Sequence, residues 1–384
     1  MIFARASAIV PLFLVAVLVA LFLVVRPFDY LTKGAPPVEE ITVENIRLDM
    51  KGIHATIRAS GSEPVTIAQV QVDGAYALFN QEPQGPIRYL DTARIDVAYP
   101  WITGEAHRLT FVTRAGATFE HTIDVAVETP GAGPSDFAGL ALVGLFVGFI
   151  PILIGYAFYP ALMSFGAGGR DFAMALTVGL LAFLLIDTLG EGLEVAERVA
   201  SGLKASLVVW LSAILTTLIL LAIGRRRGRP PEGKALASFI AIGIGIHNLG
   251  EGLAIGASLS VGEVALASFL VLGFAIHNVT EGIAISAPIR REDVSIPTLV
   301  RLAVIGGGPA VIGTLSGGFS LSPFWTALAF GIGAGAILQV IIEIGGVFLR
   351  TRKELPLPWY STATLSGFVA GIFIMYLTAF IVHG

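Results

Sequence analysis

Two short stretches, GIHNLGEG at 245–252 and AIHNVTEG at 275–282, each set a His, an Asn and a Glu in the middle of a long apolar run. An ionisable side chain at the centre of a membrane helix costs about 2.5–3.5 kcal/mol, so any fold of this chain must give these groups partners. In a helix His247 and Glu251 stand four residues apart, as do His277 and Glu281. Each pair then stacks on one face, with Asn248 and Asn278 beside it. With both imidazoles neutral, convergence of the two sets gathers about two negative charges, which one divalent cation cancels. Pairing of glutamate with protonated histidine, as an adhesive between helices, is the competing reading. It gives no reason for repeating the same HN..EG arrangement.

The rest of the composition agrees with a membrane setting. Of 384 residues, 55% are hydrophobic and 14% charged, with a mean hydropathy of +0.81, which is far from a soluble chain. The net charge of -4 and the lack of a basic domain argue against a nucleic-acid partner. Cysteine is absent, so a bound metal must use imidazole, carboxylate, amide or water ligands, which favours a borderline or hard divalent ion. No organic cofactor is expected.

Taken in order, the chain divides into three. Residues 1–30 hold an apolar stretch at 6–25 between Arg5 and Arg26, long enough to cross a bilayer and longer than the core of a usual signal peptide, so it reads as an uncleaved anchor. Residues 35–130 are short, alternating, β-branched segments such as HATIRAS, VTIAQVQVDG and HRLTFVTRAG, separated by Gly, Pro, Asn and Asp. That is the pattern of a small antiparallel β-sandwich of immunoglobulin or fibronectin type III appearance. His54, His107 and His121 fall in it without ligand-like spacing, and read as surface or edge-strand histidines. The linker TPGAGPSD at 129–136 closes the domain.

Residues 136–384 carry eight apolar runs, at about 137–160, 172–196, 205–223, 235–259, 263–288, 299–318, 324–348 and 360–382. The fold class expected is a polytopic α-helical membrane protein with one anchor helix and one β-sandwich. Alternate loops collect the basic residues, among them Arg170, Arg225, Arg226, Arg227, Arg229, Arg290, Arg291, Arg350 and Lys353. By the positive-inside rule these face the cytoplasm of a plasma or inner membrane, which puts the amino terminus inside and the β-domain and carboxyl terminus outside. The basic connection at 224–234 is explained by the same rule rather than by lipid or nucleic-acid binding. A short link joins the fourth and fifth runs, so these helices are antiparallel neighbours and their central motifs meet at one depth.

At this point the chain resembles the ZIP family of divalent metal transporters, whose fourth and fifth helices read HN.PEG and close variants. The resemblance covers the eight apolar runs and not the anchor or the β-domain. It implies an eight-helix transport core in which His247, Asn248 and Glu251 form the first ligand set and His277, Asn278 and Glu281 the second. LLIDTLGEGLE at 184–194 resembles the family's acidic second helix, making Asp187 and Glu191 candidates for lining the pathway; LQVIIEIGG at 338–346 similarly offers Gln339 and Glu343. The chain departs from the family in three places. Gly250 and Thr280 stand where proline precedes the motif Glu, Gly308 stands where related transporters carry an acid, and no histidine-rich insertion joins helices three and four. Gly308 supplies no ligand for a second, bridged metal.

The function expected is therefore transport of a divalent cation, zinc first and iron, manganese or cadmium as alternatives, towards the cytoplasm by alternating access. The ion is substrate rather than cofactor, and the protein is not expected to be an enzyme. A homodimer is compatible with this reading, and the sequence names no partner for the β-domain. Two other readings compete: a metal-binding receptor or assembly subunit that has lost transport, motivated by Gly308 and the missing prolines, and a membrane metallohydrolase, which HN..E suits poorly because it lacks the second His of HE..H.

Overall fold

The computed structural model describes residues 38–131, 133–164, 167–225, 231–260, 264–289, 294–319, 322–351 and 361–383, with single positions between 14 and 21. The anchor expected at 6–25 lies almost wholly outside the described residues.

The amino-terminal part forms eight strands: β1 (Ile41–Asp49), β2 (Gly52–Ala59), β3 (Ile67–Val72), β4 (Ala75–Ala77), β5 (Phe79–Glu82), β6 (Thr92–Val97), β7 (His107–Thr113) and β8 (Thr118–Ile123). They make two antiparallel sheets, ordered β1-β2-β6-β5 and β4-β3-β7-β8, which matches the ABED and CFG order of immunoglobulin-type sandwiches with β4 added at the edge of the second sheet. Period-two alternation drives the packing. Ile53, Ala55, Ile57 and Ala59 of β2 all turn inward, as do Ile95 and Val97 of β6, and they share one core with Val70, Leu109 and Phe111 of the facing sheet. Strands β4, of three residues, and β5, of four with a polar majority, are too short to stand out in the sequence.

Asp73 and Gly74 connect β3 to β4 with both residues at positive φ, 52° and 79°, the two-residue hairpin turn that an Asp-Gly pair favours. The Asp73 carboxylate then holds the turn against β7. Oδ1 accepts the Arg108 backbone N–H at 2.8 Å, and Oδ2 lies 2.7 Å from the His107 ring and accepts the Tyr99 hydroxyl at 3.1 Å. His54 is likewise engaged, 3.0 Å from Asp49 and 2.5 Å from Asp96. The expectation of surface or edge-strand histidines is thus corrected. β2 and β7 are inner strands and His107 is buried; only His121, on β8, lies at an edge.

Burial alone would raise the Asp73 carboxyl, but the Arg108 N–H, the His107 ring and the Tyr99 hydroxyl outweigh it and hold the group below its ordinary 3.8. A carboxylate depressed on folding contributes stability that is complete above its unfolded pKa and is lost as pH falls through the lower folded value. Hydrogen-exchange protection of the β3 and β7 amides should therefore hold from neutrality to about pH 4 and decline below it. In Asp73→Asn that acid-dependent step should shrink. A wild-type profile identical to that of the variant would contradict this role.

The carboxyl-terminal part is helical. The first apolar run folds as α1 (Pro134–Gly144), a π-helical turn (Leu145–Phe149), α2 (Ile150–Tyr156) and α3 (Tyr159–Ser164); then come α4 (Ala167–Glu197), α5 (Ala205–Gly224), α6 (Gly233–Ser260), α7 (Val264–Ser286), α8 (Ile296–Gly318), α9 (Pro323–Thr351) and α10 (Thr362–His383). Among the described residues, seven helical spans are long and apolar enough to cross a membrane. α10 adds a helix that is apolar over Thr362–Leu377. Apolar side chains face outward along these helices: α5 buries only Ala205, Val209, Ala213 and Thr217, a stripe at four-residue spacing, and leaves Leu207, Leu211, Leu215 and Leu218 exposed. Such a surface suits lipid and not water, so the protein is membrane-embedded.

α6 is the exception. It is buried along most of its length, and it shares its most extensive interface with α8. The two domains also touch. Ser201, in the turn between α4 and α5, donates to Glu40 at 3.1 Å, and the Tyr89 hydroxyl sits against Gly202.

Candidate metal centre

α6 and α7 bring the two HN motifs together inside the bundle, where His247, Asn248, Glu251, His277, Asn278 and Glu281 are all buried. Glu251 is the hub. Its Oε1 lies 2.8 Å from His247 Nε2, one turn away on the same helix, and 2.5 Å from His277 Nε2 on the neighbouring helix. The imidazole centroids are 6.2 Å apart. One donor atom from each of His247, Glu251 and His277 falls within 4.8 Å of the others, and among the described residues this is the one His/Asp/Glu group so arranged.

The asparagines cross over between the motifs. Asn248 Nδ2 donates to Glu281 Oε2 and to the Gly306 carbonyl, both at 3.0 Å, while Asn278 Nδ2 donates to Glu251 Oε2 at 3.3 Å and to the Val147 carbonyl at 3.0 Å. These bonds use the nitrogens only. Asn248 Oδ1, Asn278 Oδ1 and Glu281 Oε1 are buried acceptors with no hydrogen-bond partner in the described protein, and Glu281 Oε1 lies 4.0 Å from His247 Nε2. A buried polar atom without a partner is destabilising, and three acceptors around a two-His, one-carboxylate set are a donor-poor environment of the kind a cation satisfies. Imidazole with carboxylate and amide oxygen suits zinc and similar divalent ions.

Three supports of this centre are not visible in the motif. Thr188 Oγ1 lies 3.2 Å from His247 Nδ1, so that ring is held at both nitrogens. Phe274 packs on His277 with centroids 5.4 Å apart. The Val147 carbonyl that receives Asn278 belongs to the π-helical turn, a local widening that frequently marks functional sites. Thr188 sits beside Asp187 inside LLIDTLGEG, so its neighbourhood carried a signal; the π turn in an unbroken apolar run carried none. Outer-shell partners of this kind typically tune metal affinity by 10–100-fold. Thr188→Val should weaken zinc binding by about tenfold with little change in folding, measured by equilibrium dialysis of purified protein; unchanged affinity would remove Thr188 from the site.

The four pathway candidates lie elsewhere. Asp187 and Glu191 line a chamber of about 640 Å³ between α4, α6, α7 and α9 and the β-domain, with Glu194 and Arg198 near its rim and Val43, Asn45 and His121 contributed by β1 and β8. Burial is the main influence on His121 and lowers its pKa, with Arg198 acting in the same direction and Asp124 against it. A ring kept neutral in this way keeps a lone pair available to a cation. Gln339 and Glu343 are one turn apart on α9 and buried, but they are not in the donor cluster; the Glu343 carboxylate lies 3.6 Å from Arg225 Nε, at the end of α5 remote from the β-domain.

The chain matches no protein-family model, and no curated protein matches it.

Proposed function

We propose that this protein carries a divalent metal cation, zinc in the first instance, across the membrane through the His247–Glu251–His277 centre. The observation that carries the reading is the cluster of buried acceptors without partners around that set: Asn248 Oδ1, Asn278 Oδ1 and Glu281 Oε1. Pairing of Glu251 with the two histidines accounts for the short contacts alone. It leaves Glu281 Oε1, 4.0 Å from His247 Nε2, and the two amide oxygens without a hydrogen-bond partner, and a cation beside His247 supplies a charge partner for that carboxylate.

Supporting the reading, a chamber lined by Asp187 and Glu191 lies between the helices and the β-domain, and Ala254, Ala257 and Ser258 of α6, the helix that carries His247 and Glu251, line it as well. The ion enters that chamber hydrated, gives up water to the imidazoles and carboxylates, and leaves at the opposite end, near Glu343 and Arg225. Metal and protons compete for the same ligand atoms, so protonation assists release. In this reading the helices form an eight-helix ZIP-like core, the anchor and the β-domain are additions to it, the β-domain faces outside and flux runs towards the cytoplasm. Proteoliposomes with purified protein should take up Zn2+ faster than protein-free vesicles, with Cd2+, Mn2+ and Fe2+ as comparison ions. Binding without uptake of any of them would favour a receptor.

A further inference from the structure

Beside His277 is a second, much smaller cavity of about 10 Å³, bounded by His277, Thr280 and Glu281 of α7, by Met375 of α10, and by an apolar wall from α4 that includes Leu181 and Leu184. Its volume is near the lower limit for one water molecule, so it admits a single atom-sized guest. Three different donors meet around it. Glu281 is buried, and its Oε1, which lacks a hydrogen-bond partner, also lies 4.0 Å from His247 Nε2, so this carboxylate is shared with the first centre; the Thr280 hydroxyl donates to the Met375 sulfur at 3.7 Å and to the His277 carbonyl of its own helix; and Met375 is itself buried. A thioether is a weak ligand for hard ions and a better one for soft ions. Thr280 stands where HN.PEG has proline, so the departure in the motif places a hydroxyl at this cavity.

We infer that Glu281, Thr280 and Met375 form a second cation position beside the His247–Glu251–His277 centre, one that takes soft or borderline ions such as Cd2+ and Zn2+ in preference to Mn2+. This rests on the transport reading and gives the ion its next station, with Glu281 positioned between the two sets of ligands. The leucine wall beyond it has no ligand to offer, so an ion held here is separated from the far end of the bundle by apolar packing. The step is ligand exchange only; no bond other than the coordinate ones is made or broken.

The absence of cysteine makes the test clean, because any sulfur bound to metal in this protein is a thioether. Full-length protein in detergent is loaded with Cd2+ or with Mn2+, the bound metal is counted, and the cadmium coordination is read by X-ray absorption. Wild type should bind about two Cd2+ per chain with a sulfur neighbour, and Met375→Leu, a near volume-conserving change, about one without sulfur, while Mn2+ binding is the same in both. A wild-type cadmium shell of nitrogen and oxygen alone overturns the second position and leaves the transport reading standing. A sulfur shell that persists in Met375→Leu also overturns it. If wild type binds neither metal, both readings fail. Should Met375→Leu not fold, Met375→Ile takes its place, and a sulfur shell that persists in it overturns the second position.

Discussion

Zinc uptake into vesicles carrying Glu251→Gln should fall by about 100-fold or more relative to wild type, with the protein still folded. The side chain is fully buried and its Oε1 is the point on which both imidazoles converge, at 2.8 and 2.5 Å. Glutamine keeps the shape and removes the charge. It also replaces one carboxylate oxygen, a potential ligand atom, by an N–H group that cannot bind a cation. The loss should exceed the 10–100-fold typical of outer-shell substitutions, because Glu251 is itself in the donor set. The measurement is initial-rate uptake of Zn2+ under an imposed gradient, with dialysis binding alongside it. Flux equal to wild type would sink the assignment of the centre. Loss of flux with retained binding would instead place Glu251 in the release step.

The second large effect lies in the packing that holds the centre in place. α6 and α8 approach so closely that a Cβ added at Gly252 would collide with the Ala310 carbonyl and come within 2.9 Å of the Thr314 backbone nitrogen; in the reverse direction a Cβ at Gly313 would meet the Leu249 carbonyl and the Leu253 nitrogen at 2.8 Å. Gly256 and Gly317 repeat the arrangement one turn further on. These are backbone contacts, which no side-chain rotation relieves. Small residues permit such helix pairs in membranes, where lipid supplies no hydrophobic drive between helices. Gly252→Leu should destabilise the bundle by more than the 1–3 kcal/mol usual for overpacking and reduce the yield of folded protein. Gly139→Ala, on α1, meets nothing within 4 Å and should not lower the melting temperature, since alanine is the better helix former. Equal melting temperatures for Gly252→Leu and wild type would show that the helices can part without penalty.

Both predictions concern residues that were conspicuous in the chain for different reasons. The motif residues stood out because ionisable groups are rare in apolar runs, and four-residue spacing already placed each His and Glu on one helical face. The roles within the set could not be read that way. His247, Glu251 and His277 meet directly, whereas the asparagines spend their amide nitrogens on the opposite motif's glutamate and on two backbone carbonyls. Which atom faces which depends on the rotation of α6 against α7, and local spacing does not encode it. Glu343 shows the same limit: it follows Gln339 by one turn, yet its carboxylate lies 3.6 Å from Arg225 on another helix.

Local physical chemistry was enough to determine the division into a β-domain and a helical membrane part and the convergence of two polar motifs at one depth. Each follows from periodicity or the expense of burying charge, both of which act over a few residues. Tertiary structure alone decided that β1 and β8 help to wall the chamber lined by Asp187 and Glu191, that Thr188 steadies His247, that the π turn offers a carbonyl to Asn278, and that Met375 lines a cavity with His277 from about a hundred residues away. Those contacts join elements distant in sequence. They are set by how the helix faces pack, with glycine seams permitting backbone contact, and pairwise packing of that kind leaves no periodic trace in the chain.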